Sequence, residues 1–304
     1  MQKFAETLLQ GNNLAYFMSA FIGIFIFIYI GYNTLSYRIL KERYHGIRFT
    51  TKNIAYMTMF TAVSVSVTVV ILLTAPITVF PPIRIAFEGV MVKITGFIFG
   101  PIVGVIVGLI TELLVMIFVP SFIHPAFMIT IVFYGFVAGI GSSFLRIGKG
   151  NNWIIMTVIN TFLIGFAFVM TYIIDLASFE TISVFGFEMS KQVFKWVFIG
   201  SIIACVFVVW TLALVTLATG RKKALSTLLP IVLFATASEY LVTSIISAWG
   251  DYEFLGLSGN EVNTNGYIIM LMSRLVQAPL KILFNTAVLY YTYKAVSPLV
   301  KRDR

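Results

Sequence analysis

Ionisable side chains lie inside or at the edges of the long apolar segments of this 304-residue sequence. A charge near the centre of a bilayer is costly, so such residues usually face a protein interior and mark the path of a substrate or an ion. Arginine can hold a carboxylate with two hydrogen bonds, and a carboxylate can accept N–H donors. The candidates for this binding chemistry are Arg84, Glu88, Glu112, Glu239 and Arg274.

Three lysines, Lys93, Lys195 and Lys281, belong to the same group of intramembrane charges. The alternative to function for any of these charges is a buried ion pair, or a long side chain that reaches the headgroup region. We expect the second for Lys195, which lies near the end of its segment. For Arg274 the structural alternative is an ion pair with Glu239 or Glu112.

The residues needed for catalysis or for a metal site do not come together in the sequence. The two histidines, His45 and His124, fall on opposite sides of the predicted membrane, so they cannot share a zinc ion. No glycine-rich loop ending in Lys-Ser/Thr is present, so this chain is not expected to hydrolyse ATP. The single Cys205 excludes an intrachain disulfide. We therefore predict no catalytic residues, no cofactor and no metal.

The segments that carry these residues predict an all-α, polytopic integral membrane protein. Hydrophobic residues make up 59% of the chain and charged residues 11%, far from the composition of a soluble domain. A helical span needs about 20 apolar residues, and the chain has about nine such segments. They are 14–33, 53–75, 84–99, 100–119, 126–145, 153–174, 193–219, 228–249 and 267–293.

The distribution of basic residues predicts the orientation. With a helix break at Gly100-Pro101, most of the 21 Lys and Arg residues fall in connections on one side, including the run 221–223. Cytoplasmic loops carry this excess, so we expect the N-terminus outside and the C-terminus in the cytoplasm. The net charge of +9 then reflects topology and does not indicate a nucleic-acid partner. Asp251 and Glu253 are assigned to an outer loop.

Small residues recur at helical spacing in two places. Gly96, Gly100, Gly104 and Gly108 occur every four residues, and we expect them to pack within the chain. Thr58 and Ala62 on the second predicted span are also spaced for close helix approach. For this pair, contact with a partner protein and internal packing are both open.

Several motifs, in order along the chain, resemble the substrate-binding S-component of energy-coupling factor (ECF) transporters, closest to the folate-type branch. They are Arg-Ile-Ala-Phe at 84–87, Gly-Phe-Ile-Phe-Gly-Pro-Ile-Val-Gly at 96–104, Gly-Leu-Ile-Thr-Glu-Leu-Leu at 108–114, Tyr-Gly-Phe-Val-Ala-Gly at 134–139 and Ser-Arg-Leu-Val-Gln-Ala-Pro-Leu-Lys at 273–281. The sequence departs from the family at Glu88, at Lys93 and at Thr58, where the family usually has alanine.

The resemblance implies a six-helix core interrupted by additional spans. Residues 1–52 form an extra span and a basic cytoplasmic loop, and 53–147 form the first four core helices. Residues 148–227 contribute an inserted pair of spans, and 228–304 form the last two core helices and a basic tail.

The resemblance also implies a function. The chain would capture a vitamin at the outer face of the cell membrane, with folate the best candidate. It would deliver the vitamin inward when coupled to a transmembrane protein and two cytoplasmic ATPases. Thr58 and Ala62 would contact that module. The residues expected near the ligand are Arg84, Glu88, Glu112, His124, Glu239, Trp249 and Arg274. Arg84 or Arg274 would hold carboxylates, Trp249 would stack on a pterin ring, and Glu239 would accept its N–H donors.

Other functions fit parts of the sequence. Riboflavin or another vitamin is an alternative ligand. Trp249 is also typical of a membrane-interface aromatic, and His124 of a polar surface residue. Glu112 and Glu239 would suit an ion-coupled secondary transporter, although no internal repeat is evident. An intramembrane enzyme of lipid metabolism is the least favoured class.

The predicted orientation is testable by cysteine labelling from outside intact cells, in a chain that lacks Cys205. A cysteine replacing Ser258 should be modified, because its loop is predicted to be outside. A cysteine replacing Ala224 should be protected. Modification at 224 with protection at 258 would reverse the orientation.

Overall fold

A computed structural model describes residues 7–8, 12–40, 51–74, 89–118, 124–148, 152–176, 180–184, 187–220, 222–254 and 266–302. The chain forms helices α1 Asn13–Leu40, α2 Thr51–Thr74, α3 Val90–Phe99, α4 Pro101–Phe118, α5 Pro125–Gly148, α6 Asn152–Leu176, α7 Lys191–Ala218, α8 Lys222–Ala237, α9 Ser247–Phe254 and α10 Gly266–Arg302. A π-helical segment, Ser238–Ile246, joins α8 to α9 without interruption. Strands β1 Thr181–Val184 and β2 Phe187–Ser190 pair antiparallel between α6 and α7.

The helices confirm the predicted all-α, multi-pass membrane bundle. Seven helical stretches in the described residues are long and apolar enough to cross a membrane. Two of the nine predicted segments, 53–75 and 84–99, contain the shorter apolar helices Ile54–Val70 and Val90–Phe99. The span count of nine stays a prediction. The β-hairpin was not predicted, although Thr, Ile and Val in β1 are typical of strands.

One helical stretch lies at the centre of the bundle. The stretch Ala224–Glu253 contains most of α8, the π-helical segment and most of α9. In its most apolar 18 residues 89% are buried, whereas the corresponding fraction in α1 is 17%. We call this stretch the central helix. Large apolar side chains of α1 such as Phe27 and Ile28 are mostly exposed, which is typical of a surface in contact with lipid.

The predicted inserted pair, α6 and α7, packs directly on the central helix. The ring of Phe166 on α6 lies 4.7 Å from that of Tyr240, centroid to centroid. Cys205 Sγ on α7 lies 3.6 Å from the hydroxyl of the same tyrosine. These helices therefore belong to the main hydrophobic core rather than to a separate unit.

The chain reverses at Gly100, as the Gly-Pro break predicts. Gly100 has a left-handed φ of 100°, and α4 begins at the following proline. Gly96 and Gly104 are about 12 Å apart along a continuous α-helix. Here a Cβ added to Gly104 would lie 2.8 Å from the Cα of Gly96, so α3 and α4 fold back on each other.

Glycines bring three helices into backbone contact. A Cβ on Gly96 or on Gly104 would fall on the backbone of Gly135 in α5, and a Cβ on Gly135 would fall on Gly104. The same stripe continues to Gly108, which lies against the backbone of Ile131. The expectation of packing within the chain is confirmed for Gly96, Gly104 and Gly108, whereas an added Cβ at Gly100 would meet nothing within 4 Å.

Replacing Gly135 with alanine should therefore separate α5 from α4 and lower stability by about 2 kcal/mol, the typical cost of an overpacked core. The matched control is Gly165→Ala on α6, where an added Cβ meets nothing within 4 Å. This control should be neutral or slightly stabilising, because alanine favours helix. Thermal unfolding of the purified proteins in detergent measures both. Equal unfolding temperatures for the two variants would contradict the backbone contact.

Candidate functional site

Three ionisable side chains meet in the interior of the bundle. Lys93 on α3, Glu239 on the central helix and Lys281 on α10 are 0%, 1% and 7% exposed. Lys281 Nζ lies 3.8 Å from Glu239 Oε1. Lys93 interacts electrostatically with the same glutamate, and Lys281 with both. We call Lys93, Glu239 and Lys281 the central charge cluster.

The glycine contacts place Lys93 in this cluster. Lys93 precedes Gly96 by less than one helical turn, and Tyr134 is adjacent to Gly135. Because the backbones at these two glycines touch, the side chains beside them are forced together. Lys93 Nζ lies 4.0 Å from the centroid of the Tyr134 ring, a cation–π geometry. The Tyr134 hydroxyl in turn shares a 2.6 Å hydrogen bond with Thr243 Oγ1 on the central helix.

A polar stripe on α10 supplies the other side of the cluster. Arg274, Lys281 and Asn285 are spaced by seven and four residues, so all three project within about 40° of one another on an α-helix. All three side chains are buried, with Asn285 fully inaccessible. The stripe faces the central helix, which contributes Glu239 to the contact.

Many polar atoms around the cluster have no hydrogen-bond partner among the described residues. They are Lys93 Nζ, Lys281 Nζ, Glu239 Oε1, Asn285 Nδ2 and Oδ1, Thr236 Oγ1 and Thr286 Oγ1. Each buried polar group left without a partner costs about 1–3 kcal/mol, and more if it is charged. Buried polar groups in proteins normally have a partner, which can be an ordered water, an ion or another bound molecule.

Arg274 is engaged by the chain itself. Its Nε donates to Asp251 Oδ2 at 3.0 Å, its Nη2 forms a second short contact with the same oxygen, and its Nη1 donates to the Thr243 carbonyl at 2.8 Å. Asp251 lies in α9 and is 8% exposed, so its assignment to an outer loop is wrong. The structural alternative for Arg274 also had the wrong partner, because the ion pair is made with Asp251 and not with Glu239 or Glu112.

Two backbone carbonyls of the π-helical segment accept hydrogen bonds from side chains of α10. In a π-helix the backbone bonds to the residue five positions away, a rare form found often at functional sites. The Thr243 carbonyl accepts from Arg274, and the Ile245 carbonyl accepts from the hydroxyl of Tyr267 at 3.0 Å. The arginine therefore holds both Asp251 and the irregular backbone of the central helix.

A second polar group lies at the end of the central helix that is predicted to be outside. Glu253 accepts hydrogen bonds from Trp249 Nε1 at 2.6 Å and from Asn12 Nδ2 at 3.1 Å, and its other oxygen lies 2.7 Å from His124 Nε2. The rings of Tyr16 and His124 meet that of Trp249 edge to face, at 4.7 and 4.6 Å between centroids. We call these residues the outer polar cluster.

The outer polar cluster changes three expectations. His124 is 5% exposed, so the polar-surface interpretation is wrong. Trp249 is 7% exposed and packed by two rings, so it is not a lipid-facing interface residue. Glu253, assigned to a loop, lies in α9 and connects the group.

The structure places the other predicted residues as follows. Arg84 and Glu88 lie outside the described residues. Glu112 is half-buried on α4. Lys195, expected to reach the headgroups, pairs with Asp175 at 2.7 Å.

Thr58 and Ala62 are exposed on α2, so internal packing does not explain their small size.

Six residues of the two clusters and the arginine pair were not assigned to a site from the sequence: Asn12, Tyr16, Lys93, Asp251, Glu253 and Lys281. Neither was the neighbouring Asn285. The spacing of Arg274, Lys281 and Asn285 on one face was an available signal. Asp251 and Glu253 were missed because the predicted segment ended at Trp249, and the helix continues to Phe254.

A cleft of about 1010 Å³ lies between α7, α8 and α10. Its walls are mainly apolar, and its lining includes Thr236 and Thr286 as well as Lys294 and Ser297 toward the C-terminal end of α10. It therefore extends from the neighbourhood of Asn285 toward the side predicted to be cytoplasmic.

Comparison with protein-family models, with curated proteins and with solved structures found no match to this chain. The S-component resemblance stays a prediction from its sequence motifs.

The role of Arg274 leads to a stability prediction. Arg274→Ala should lower the free energy of unfolding by about 3–5 kcal/mol, because it leaves Asp251 buried and unpaired. A second change, Asp251→Leu, should restore most of the loss. The control Lys195→Ala removes a partly exposed pair and should cost about 1 kcal/mol or less. Unfolding of the detergent-solubilised proteins gives the comparison. A stable Arg274→Ala protein with weakened ligand binding would instead assign the arginine to the ligand.

Proposed function

We propose that this chain is the substrate-binding membrane subunit of an ECF-type importer, which captures a vitamin and delivers it inward when coupled to an ATPase module. The observation that carries the proposal is the central charge cluster, with its open hydrogen-bonding atoms, inside a lipid-embedded bundle. Intramembrane charges of this kind mark substrate or ion paths. Folate is the best candidate ligand, with riboflavin or another vitamin as alternatives.

The groups available in the bundle suit a ligand such as folate, which carries both carboxylates and N–H donors. Lys93 and Lys281 are cations without hydrogen-bond partners in the described residues, and Glu239 Oε1 is an open acceptor. The carboxylate-binding role was first given to Arg84 or Arg274. Arg84 lies outside the described residues and the guanidinium of Arg274 is already bonded to Asp251 and Thr243, so we assign the role to the two lysines. The stacking of a pterin on Trp249 stays a prediction and would require Tyr16 or His124 to move aside.

The exposed face of α2 supports a partner contact. Ala55, Thr58, Ala62 and Ser66 are all exposed and follow one another at spacings of three and four residues. Small side chains along one face let a second helix approach closely. We assign this face to the transmembrane coupling protein, which would carry the two cytoplasmic ATPases. The cleft between α7, α8 and α10 would let the bound vitamin leave toward the cytoplasmic side.

An ion-coupled secondary transporter is the second candidate. The observation that favours it is Glu239, a carboxylate buried among cations on the central helix, because such groups serve as ion or proton relays in transporters. In that case no ATPase module would be needed.

Uptake of labelled folate by cells, with and without a co-expressed ECF ATPase module, distinguishes the two candidates. We expect uptake to require the module and Ala62→Trp to abolish both uptake and copurification of the module. Folate binding by the purified variant should be retained. The control Ile203→Trp, at an exposed position on α7, should behave like the wild type.

Uptake that proceeds without any ATPase module and collapses with the proton or sodium gradient would contradict the importer proposal. Mass spectrometry of the small molecule that copurifies with the protein identifies the vitamin. A flavin in place of a pteridine would reject folate while retaining the importer.

A further inference from the structure

Among the described residues, the charges that act on Lys281 do not balance. Lys281 interacts electrostatically with Lys93, Arg274, Glu239 and Asp251. With all of these ionised, three cations face two carboxylates, and the surplus is one positive charge. Asp251 is bonded to Arg274, so within the part of the chain that the structure describes Glu239 is the carboxylate left to face Lys93 and Lys281.

The geometry adds to the imbalance. Lys281 Nζ is 3.8 Å from Glu239 Oε1, too far for a hydrogen bond, and Lys93 Nζ has the face of Tyr134 as its near contact. Neither ammonium has a hydrogen-bond partner among the described residues, and neither has the amide of Asn285, which lies one helical turn after Lys281 on α10. Side chains this deeply buried normally have their donors satisfied.

We propose that Lys93, Lys281 and Asn285 bind a carboxylate of the captured solute, so that the substrate class is a small organic anion. A carboxylate would supply the missing negative charge and accept from both ammonium groups and from Asn285 Nδ2. Glu239 then keeps one lysine paired in the empty protein. This inference rests on the proposed function, since it requires a solute that enters the bundle.

A carboxylate of the chain itself is the competing source of the charge. Glu88, outside the described residues, is close to Lys93 in sequence. If Glu88 fills this role, the site is already neutral and external carboxylates gain nothing by entering it.

The test uses acetate, the smallest organic carboxylate, and acetamide, its neutral isostere, with the purified full-length protein at constant ionic strength. Acetate should raise the unfolding temperature, and acetamide should not. Lys93→Met and Lys281→Met should weaken acetate binding at least about tenfold, as expected when one partner of a buried charge pair is lost. The control Lys195→Met, which removes the lysine paired with Asp175, should keep the full acetate response.

The same variants separate a binding role from a structural one. Lys281→Met breaks the contact with Glu239 and should not raise the unfolding temperature of the protein without acetate. Lys93→Met instead removes the surplus charge, so it should raise that temperature while weakening the acetate response. Glu239→Gln should do the opposite, lowering stability without acetate and tightening acetate binding, because two unpaired lysines remain. If neither lysine variant folds, the acetate affinity of Glu239→Gln alone tests whether the lysines bind a carboxylate.

Three results would overturn the inference. The first is that acetate does not change the unfolding temperature of the wild type. A response that appears only in Glu88→Gln belongs to this result, because it would show that Glu88 already supplies the negative charge. The second is an acetate response that survives in both lysine variants, and the third is acetate binding by Glu239→Gln that is unchanged or weaker. None of these measurements involves folate or the ATPase module. Failure of the importer proposal would therefore be seen separately, in the uptake experiment.

Discussion

The pairing of cations on α10 with carboxylates on the central helix is the interaction on which the rest of the interior depends. Arg274 contacts Asp251, and Lys281 faces Glu239. Because the residue order is reversed between the two helices, the pairs require them to run antiparallel in one register. In a medium that provides no competing water, each charge left without its partner would be costly. The two pairs therefore set how the central helix and α10 lie against each other.

The irregular backbone of the central helix follows from the same constraint. A π-helical segment leaves its carbonyls in unusual directions, and it survives at membrane depth when protein groups satisfy them. Arg274, Tyr267 and the hydroxyls of Thr243 and Ser244 do so here. The arginine is thus a structural anchor, whereas the ammonium groups of Lys93 and Lys281 have no hydrogen-bond partner among the described residues.

Glycine contacts complete the interior from the opposite side. The backbone approach at Gly96, Gly104 and Gly135 draws α3, α4 and α5 together and carries Lys93 over Tyr134. Tyr134 then reaches the π-helical segment through Thr243. The glycine contacts thereby fix the position of Lys93. A substitution at Gly135 is therefore expected to disturb the central charge cluster as well as the hydrophobic core.

The amino-acid sequence by itself determined the membrane class, the approximate position of each helix and the reversal at Gly100-Pro101, because apolar length, proline and glycine act locally along the chain. It also marked Glu239 and Arg274 as buried charges. The tertiary structure alone decided which charges meet. Asp251 was assigned to a loop because a sequence pattern does not locate the end of a helix to within a few residues. Lys93 and Lys281 are far apart in sequence, so no local pattern connects them. Their convergence on Glu239 depends on the glycine contacts and on the register of two antiparallel helices, neither of which has a local signature.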